Sequence, residues 1–400
     1  MLPVNFSHAV PIMERLESDG HRAYFVGGCV RDVLLERTIG DIDIATSAKP
    51  EQVLALFEKV IPVGIKHGTV IVRYDNESYE VTTFRVEGSY TDSRHPDAVS
   101  FIDEIDLDLA RRDFTINALA MDRTGNIIDL FGGKKDLQRQ KIRTVGNGYD
   151  RFAEDALRIV RALRFSSQLG FSIESDTMKA IRACRSQIDK VATERITNEM
   201  TKFFAGSSVK NGLVNLKETG IYKFLPIFSQ HPTLLDMLPE HMEPLGSFDE
   251  VIAMFHFLKP DISISNWVKA WKCSNQIKHR AEKLVNSLKY YQHHGVDRWF
   301  VYQIDFDVHE KLMKLIRLLF QNKPLDASCF QQLYERLTIH SRKDLDIDGN
   351  DLTALFPERK KGRWIHQLLE KLEKEVVSGK IRNDKSSLKE WAKCNQQETN

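Results

Sequence analysis

The sequence predicts an α+β head over residues 1–145 followed by helical segments that run to the C-terminus. Three observations carry this expectation. Strand and helix periodicities are mixed over roughly the first 130 residues. Strand signals nearly vanish from Arg151 onward. A Gly27-Gly28 pair precedes Asp41-Ile42-Asp43 in an order that reads as strand, turn, helix and strand.

In the head, Arg22–Val26 reads as a short strand and Cys29–Glu36 as a helix after the glycine turn. Asp41–Ala45 alternates like a strand, and Glu51–Glu58 is helical with Pro50 at its opening. Thr69–Tyr74 and Tyr79–Arg85 read as paired strands joined by Asp75-Asn76-Glu77. The polar stretch Glu87–Pro96 lacks periodicity and reads as a loop, and Asn126–Leu130 as a further strand. Helical periodicity then dominates Ala153–Leu169, Thr177–Ile188 and Arg195–Phe204, with punctuation at Gly206–Gly212, Pro226–Pro232 and Asn322–Pro324. No internal repeat or low-complexity tract is visible.

Composition excludes several classes. The chain has 400 residues, enough for two to four domains at roughly 100–200 residues each. Lys and Arg nearly balance Asp and Glu, for a formal net charge of +1, so any nucleic-acid surface must be local. Cys29, Cys184, Cys273, Cys329 and Cys394 are widely spaced, which fits a reducing compartment rather than a disulfide framework or zinc site. The N-terminus lacks a signal pattern, and no apolar run reaches membrane-helix length. A cytoplasmic protein without a membrane partner is expected.

The strand period of two puts Asp41 and Asp43 on one face and Ile42 and Ile44 on the other. Two carboxylates facing one point call for a cation, and hard oxygen donors suit Mg²⁺. Gly27 and Gly28 let a backbone approach a triphosphate, which Arg31, one turn into the helix, can reach. Alone, each piece has an ordinary reading as a solvated strand face or a turn. In this order the segment resembles the polymerase-β-type nucleotidyltransferase superfamily, which places a third carboxylate on a later strand. Glu80 is the candidate, with an exposed strand glutamate as the equal alternative.

ARRDFTINALAMD (Ala110–Asp122), GNIIDLFGG (Gly125–Gly133), EDALRIVRALRFS (Glu154–Ser166) and TERITNEMTKF (Thr193–Phe203) narrow the match. They resemble the bacterial class II branch, which holds CCA-adding enzymes and bacterial poly(A) polymerases. Weaker similarity continues through Asp344–Leu352 and Lys361–Leu372. The resemblance implies a seahorse-like arrangement: head 1–145, helical neck 146–206, body 207–292 and a tRNA-binding tail 293–400. It implies two Mg²⁺ ions on Asp41 and Asp43, with Glu80 as a third catalytic carboxylate. It also implies nucleotide contacts by Gly28, Arg31, Arg112, Asp155, Arg158, Arg161 and Arg164, supported by Gly27, Arg111, Asp113, Asn117 and Glu154.

Base choice has a physical account. On a wheel of Glu154–Phe165, Ala156, Ile159, Val160 and Leu163 fall on one side and the charges on the other. Taken alone, such an arc reads as a salt-bridged solvated face. Cytosine and adenine both offer an exocyclic amine beside a ring-nitrogen acceptor. Asp155 can accept from the amine while Arg158 donates to the nitrogen. Guanine and uracil present the reverse polarity, which leaves partners unpaired at about 1–3 kcal/mol each.

The resemblance links the loop at 87–101 to A addition; Arg94-His95-Pro96 stands where a second arginine is expected. The implied substrates are the tRNA 3′ end, CTP and ATP. Oligomeric state is not legible, and a homodimer stays open. Basic clusters Arg359–Trp364, Lys269–Lys272 and Arg342-Lys343 are candidate RNA contacts, with Trp364 as a base-stacking aromatic. Alternatives are a poly(A) polymerase, a CC-only or A-only enzyme, a catalytically inactive RNA-binding relative, and a small-molecule nucleotidyltransferase. The last has little use for the long helical portion.

Overall fold

The computed structural model describes residues 4–88, 98–304, 306–321 and 327–395. Contacts divide the chain into two compact units. One comprises Met1–Leu238 with Pro244–Ser247 and Ala270–Cys273; the other comprises Pro239–Glu243, Phe248–Lys269 and Ser274–Asn400.

The first unit opens with a mixed sheet. Its strands in chain order are β1 (Ala23–Val26), β2 (Asp43–Thr46), β3 (Val60–Gly64), β4 (Thr69–Tyr74) and β5 (Glu77–Thr83). A short ribbon follows, β6 (Arg85–Glu87) with β7 (Val99–Phe101), and then β8 (Ala120–Met121) and β9 (Ile127–Ile128) complete the sheet. Among the described residues the sheet order is β3-β4-β5-β2-β1-β8-β9. The inner strands bury Phe25, Ile44, Val70, Val72 and Val81. Phe6 packs edge-on against Phe25 at 4.6 Å.

The β4–β5 hairpin turns on Asp75 (φ 49°) and Asn76 (φ 63°), a two-residue loop with both residues left-handed, as hairpin twist prefers. Glu77 therefore already pairs with Tyr74 and belongs to the strand. β3 was not expected from the sequence. It carries Pro62 and Gly64, shows no alternating burial, and lies at the sheet edge, where proline is tolerated.

The helices of this unit are α1 (Val4–Ser7), α2 (Val10–Ser18), α3 (Gly28–Leu34), α4 (Pro50–Leu56), α5 (Ile105–Ala110), α6 (Gly133–Gln138), α7 (Gly148–Glu154), α8 (Leu157–Leu169), α9 (Ser175–Cys184), α10 (Thr193–Phe204) and α11 (Val209–Thr219). The expected helix Ala153–Leu169 is broken. Asp155 adopts an extended conformation (φ −146°, ψ 104°), and its Oδ1 accepts from the Leu157 amide at 3.0 Å. An aspartate that satisfies a free backbone N–H favours a helix start over a helix interior. α8 packs between α10 and α11. Gly206 has no room for a side chain, since a Cβ there would lie 2.1 Å from Ser167 Oγ.

The second unit is helical. Asp249 and Glu250, each 1% exposed on the helix Phe248–Leu258, are neutralised by Lys311 (2.9 Å) and Lys314 (3.3 Å) of Phe306–Leu319. Glu373 accepts from Tyr302 at 2.6 Å and from Arg342 Nε at 2.8 Å. No helix among the described residues is long and apolar enough to cross a membrane. The expected punctuation at Asn322–Pro324 lies outside the described residues.

Candidate active site

One wall of the site is built by the sheet. β1 ends at Val26 and is followed by Gly27, whose φ of +73° disfavours any L side chain. A Cβ there would also stand 3.0 Å from Arg112 Nη1. Gly28 opens α3, and Arg31 sits one turn in. Arg31 donates to Asn117 Oδ1 at 2.8 Å and grips Asp32 through Nε and Nη2, both at 3.0 Å.

β2 begins at Asp43, so Asp41 and Ile42 precede the strand rather than lying within it. The alternation nevertheless holds: Ile42 and Ile44 are buried, while Asp41 is exposed and Asp43 half-buried. β2 pairs with β5 in parallel, and the register sets Asp43 directly against Glu80. Burial and then the Glu80 carboxylate push the Asp43 carboxyl up to about 6, with Asp41 adding to the rise and Arg112 opposing it. Two acidic neighbours thus press on Asp43, while among the described residues no group of three or more His, Cys, Asp or Glu side chains is arranged to hold a metal ion.

Arg111 and Arg112 are half-buried and committed to acidic partners. Arg111 pairs with Asp108 at 2.7 Å and Glu87 at 2.9 Å, and Arg112 with Asp108 at 3.2 Å. Asp113, 8% exposed, accepts from the Phe114 amide (2.8 Å), Asn117 (3.2 Å) and Arg161 (2.7 Å). Burial alone would raise its carboxyl, but Arg161, Asn117 and Arg158 outweigh that and hold it below the ordinary range.

The facing wall is α8. The break before it removes Asp155 from the helical wheel on which it was first placed with Arg158. Asp155 instead pairs with Arg195 of α10 at 2.7 Å. Arg158 pairs with Glu154 and donates to the carbonyls of Arg151 and Arg111, both at 3.2 Å. Arg158 and Arg164 are 8% and 7% exposed, so this arc is not a solvated face. Arg164 lies 3.1 Å from Glu199, and burial, followed by neighbouring Arg161, pushes it down to about 10. Arg31, Arg161 and Arg164 surround the Phe165 ring at 5.3, 5.5 and 4.3 Å, an arrangement the ring quadrupole favours.

The two walls enclose an open cleft of about 760 Å³. Gly27, Gly28, Arg31, Asp41, Asp43, Glu80, Arg111, Arg112, Asp113, Asn117, Asp155, Arg158, Arg161 and Arg164 all line it. Glu154 acts on it through Arg158. Sequence reasoning missed the roles of Asp108, Phe165, Arg195 and Glu199. Helical spacing from Asp108 to Arg111 and Arg112 was the available signal for the first. The other three lie within the quoted segments Glu154–Ser166 and Thr193–Phe203, but helical spacing does not reveal the Arg195–Asp155 and Arg164–Glu199 pairs, which arise between elements.

Family models match in three blocks: "Poly A polymerase head domain" over residues 23–143, "Probable RNA and SrmB- binding site of polymerase A" over 170–231, and "tRNA nucleotidyltransferase domain 2 putative" over 249–392. A CCA-adding enzyme of Oceanobacillus iheyensis is 49% identical over the whole of both chains. One from Enterococcus faecalis is 40% identical over 98% of this chain and 97% of its own. The chain belongs to the CCA-adding enzyme family. The crystal structure of the Bacillus stearothermophilus CCA-adding enzyme in complex with CTP superposes with a TM-score of 0.87, at 34% identity and 99% coverage of each chain.

Two further expectations concern the loop at 87–101 and the basic clusters of the helical part. Of the loop at 87–101, residues 89–97, including Arg94-His95-Pro96, lie outside the described residues; β6 and β7 pair at its ends. Trp364 is not available to stack on a base. It is 8% exposed, packs edge-on to Phe356, donates Nε1 to the Lys360 carbonyl at 2.8 Å and lies under Arg359. Trp271 is fully buried, Lys272 pairs with Glu194 at 3.1 Å, and Arg342 is committed to Glu373.

Proposed function

We propose that the cleft adds C, C and A in turn to the 3′ end of tRNA from CTP and ATP, releasing pyrophosphate and repairing ends that have lost these nucleotides. One observation carries this reading. A register pair of carboxylates, Asp43 and Glu80, shares a single cleft with Asp155 and Arg158, a set able to read a base edge. Relatives named CCA-adding enzymes, one of them solved with CTP, support it.

Divalent-metal use is general among nucleotidyltransferases. Here Asp41 and Asp43 would hold two Mg²⁺, with Glu80 as the third carboxylate, since Mg²⁺ takes one or two carboxylates together with substrate phosphates. When bound, the metal would supply Lewis-acid activation for the 3′-hydroxyl and positive charge for the departing pyrophosphate. The chain's own residues do the rest. Arg31 and Arg112 flank the glycine turn, where the triphosphate approaches. Asp113 and Asn117, locked to each other and to Arg161 and Arg31, orient the ribose. Arg161 and Arg164 bring positive charge close to the nucleotide.

Asp155 and Arg158 are each braced from behind, by Arg195 and Glu154, rather than paired with one another. Their edges are therefore fixed before a base arrives. A cytosine or adenine edge offers a donor to Asp155 and an acceptor to Arg158, whereas a guanine or uracil edge sets acceptor against acceptor and donor against donor. Head 1–145, neck 146–206, body 207–292 and tail 293–400 divide the labour between chemistry, base choice and RNA. The exposed basic residues Lys360 and Lys361 are the tail's best phosphate contacts. This reading assigns the protein to the cytoplasm beside its tRNA.

The test is incubation with tRNA ending at the discriminator base, Mg²⁺, and each nucleotide separately and combined. Expected are two additions with CTP, a third only when ATP is also present, and none with GTP or UTP. Adenylate addition continuing past the third nucleotide, or no use of CTP, overturns the reading.

A further inference from the structure

We propose that Asp108 is a positioning residue for nucleotidyl transfer, holding the Arg112 guanidinium over the Gly27 turn and away from the acidic cluster of Asp43. The inference rests on the reading of the cleft given above.

Asp108 lies on α5 and is 1% exposed. Helical spacing brings the next two arginines to its carboxylate, three and four residues on. Oδ1 accepts from Arg111 Nε (3.0 Å) and Nη2 (2.7 Å) and from the Arg85 amide (3.3 Å). Oδ2 accepts from Arg112 Nη2 at 3.2 Å. Arg112 Nη1 then reaches the Asn117 carbonyl at 3.4 Å, on the side where a Cβ at Gly27 would stand 3.0 Å away. The guanidinium is thus fixed at both ends above the glycine turn.

Arg112 also acts electrostatically on Asp43, whose carboxylate faces Glu80 and Asp41. A long cationic side chain beside three acidic groups will fold onto them unless another anion competes for it. Buried Asp108 is that competitor. It leaves the oxygens of Asp43 open to a cation and the face of Arg112 open to a phosphate. Asp108 itself touches neither substrate nor metal, so its effect passes through Arg112.

The experiment measures steady-state CTP and ATP addition to tRNA by Asp108→Asn, by Arg112→Ala and by the double variant, with thermal unfolding of each. Expected is a rise of about tenfold in KM for both nucleotides in Asp108→Asn, with KM for tRNA unchanged. In the Arg112→Ala background, Asp108→Asn adds less than about twofold, because the two act as a unit. Unchanged nucleotide KM, an equal rise in tRNA KM, or independent multiplication of the two effects overturns the proposal. If Asp108→Asn does not fold, Asp108→Glu carries the same test, keeping the charge but shifting the contact by a methylene. A smaller rise in nucleotide KM is then expected, and a wild-type value overturns the proposal. A wild-type protein that extends no tRNA refutes the functional reading itself. An active wild type with insensitive Asp108 variants refutes only this inference.

Discussion

The two walls of the cleft handle charge in opposite ways. On the sheet wall, Asp41 and Glu80 are exposed, and Asp43 is crowded by like charge with Arg112 as its counterweight. On the helical wall four ion pairs are already made: Asp155 with Arg195, Arg158 with Glu154, Arg161 with Asp113, and Arg164 with Glu199. The crowding on the sheet wall is confined to its carboxylates, since Arg31 and Arg112 are already paired with Asp32 and Asp108. In the proposed function the helical wall reads the base, and such a reader has to be rigid before the base arrives, because a side chain free to rotate would adapt to the wrong edge.

The contrast can be broken most forcefully on the sheet wall. Asp43→Asn should lower single-turnover nucleotide addition by about a thousandfold or more, because several kcal/mol of charge stabilisation disappear with the carboxylate. Its tRNA affinity, followed by filter binding, should stay near wild type. Activity within tenfold of wild type would show that Asp43 is not at the chemical centre.

On the helical wall, Arg158→Ala should erode selectivity rather than RNA binding. The ratio of C and A over G and U incorporation is expected to fall by about ten- to a hundredfold, matching about 1–3 kcal/mol per unpaired group. Competition assays with all four nucleotides read this directly, and unchanged ratios would remove Arg158 from base choice.

Gly27→Ala tests the junction between the walls. Positive φ and the contact with Arg112 together should destabilise the head by about 1–3 kcal/mol, seen in urea unfolding, and should raise nucleotide KM. A fully stable variant would mean that the turn can relax.

The smallest effect concerns pH. Asp113 is held below its ordinary value, so it contributes stability above about 3.8 that is lost as pH falls through its lower folded value. The stability gap between wild type and Asp113→Asn should therefore be widest near neutrality and narrow below pH 4. A gap independent of pH would show that Asp113 is not ionised in the folded protein.

Legibility in the sequence followed the same division. Asp41-Ile42-Asp43-Ile44 was readable because alternation is local, and it survived even though the strand starts two residues late. Glu80 was ambiguous because its neighbour, Asp43, comes from a parallel pairing that no local pattern encodes. The helix containing Arg158 was recognised, but its break was not: a wheel assumes continuity, and the Asp155 carboxylate ends it by bonding the Leu157 amide. The buried state of Arg158 and Arg164 was unreadable for a similar reason, since their burial is supplied largely by neighbouring helices. Trp364 illustrates the opposite error, an aromatic in a basic run that packs inward.

The parallel pairing of β2 with β5 also has a consequence for how the enzyme is born. Parallel neighbours need a crossover, here running through α4, β3 and β4, before they can meet. Asp43 therefore gains its partner only after the chain through Thr83 has left the ribosome and the hairpin has closed. Pairings of this kind form slowly. A nascent chain halted within β4 carries the Asp41–Asp43 segment without the strand that sets Glu80 against Asp43.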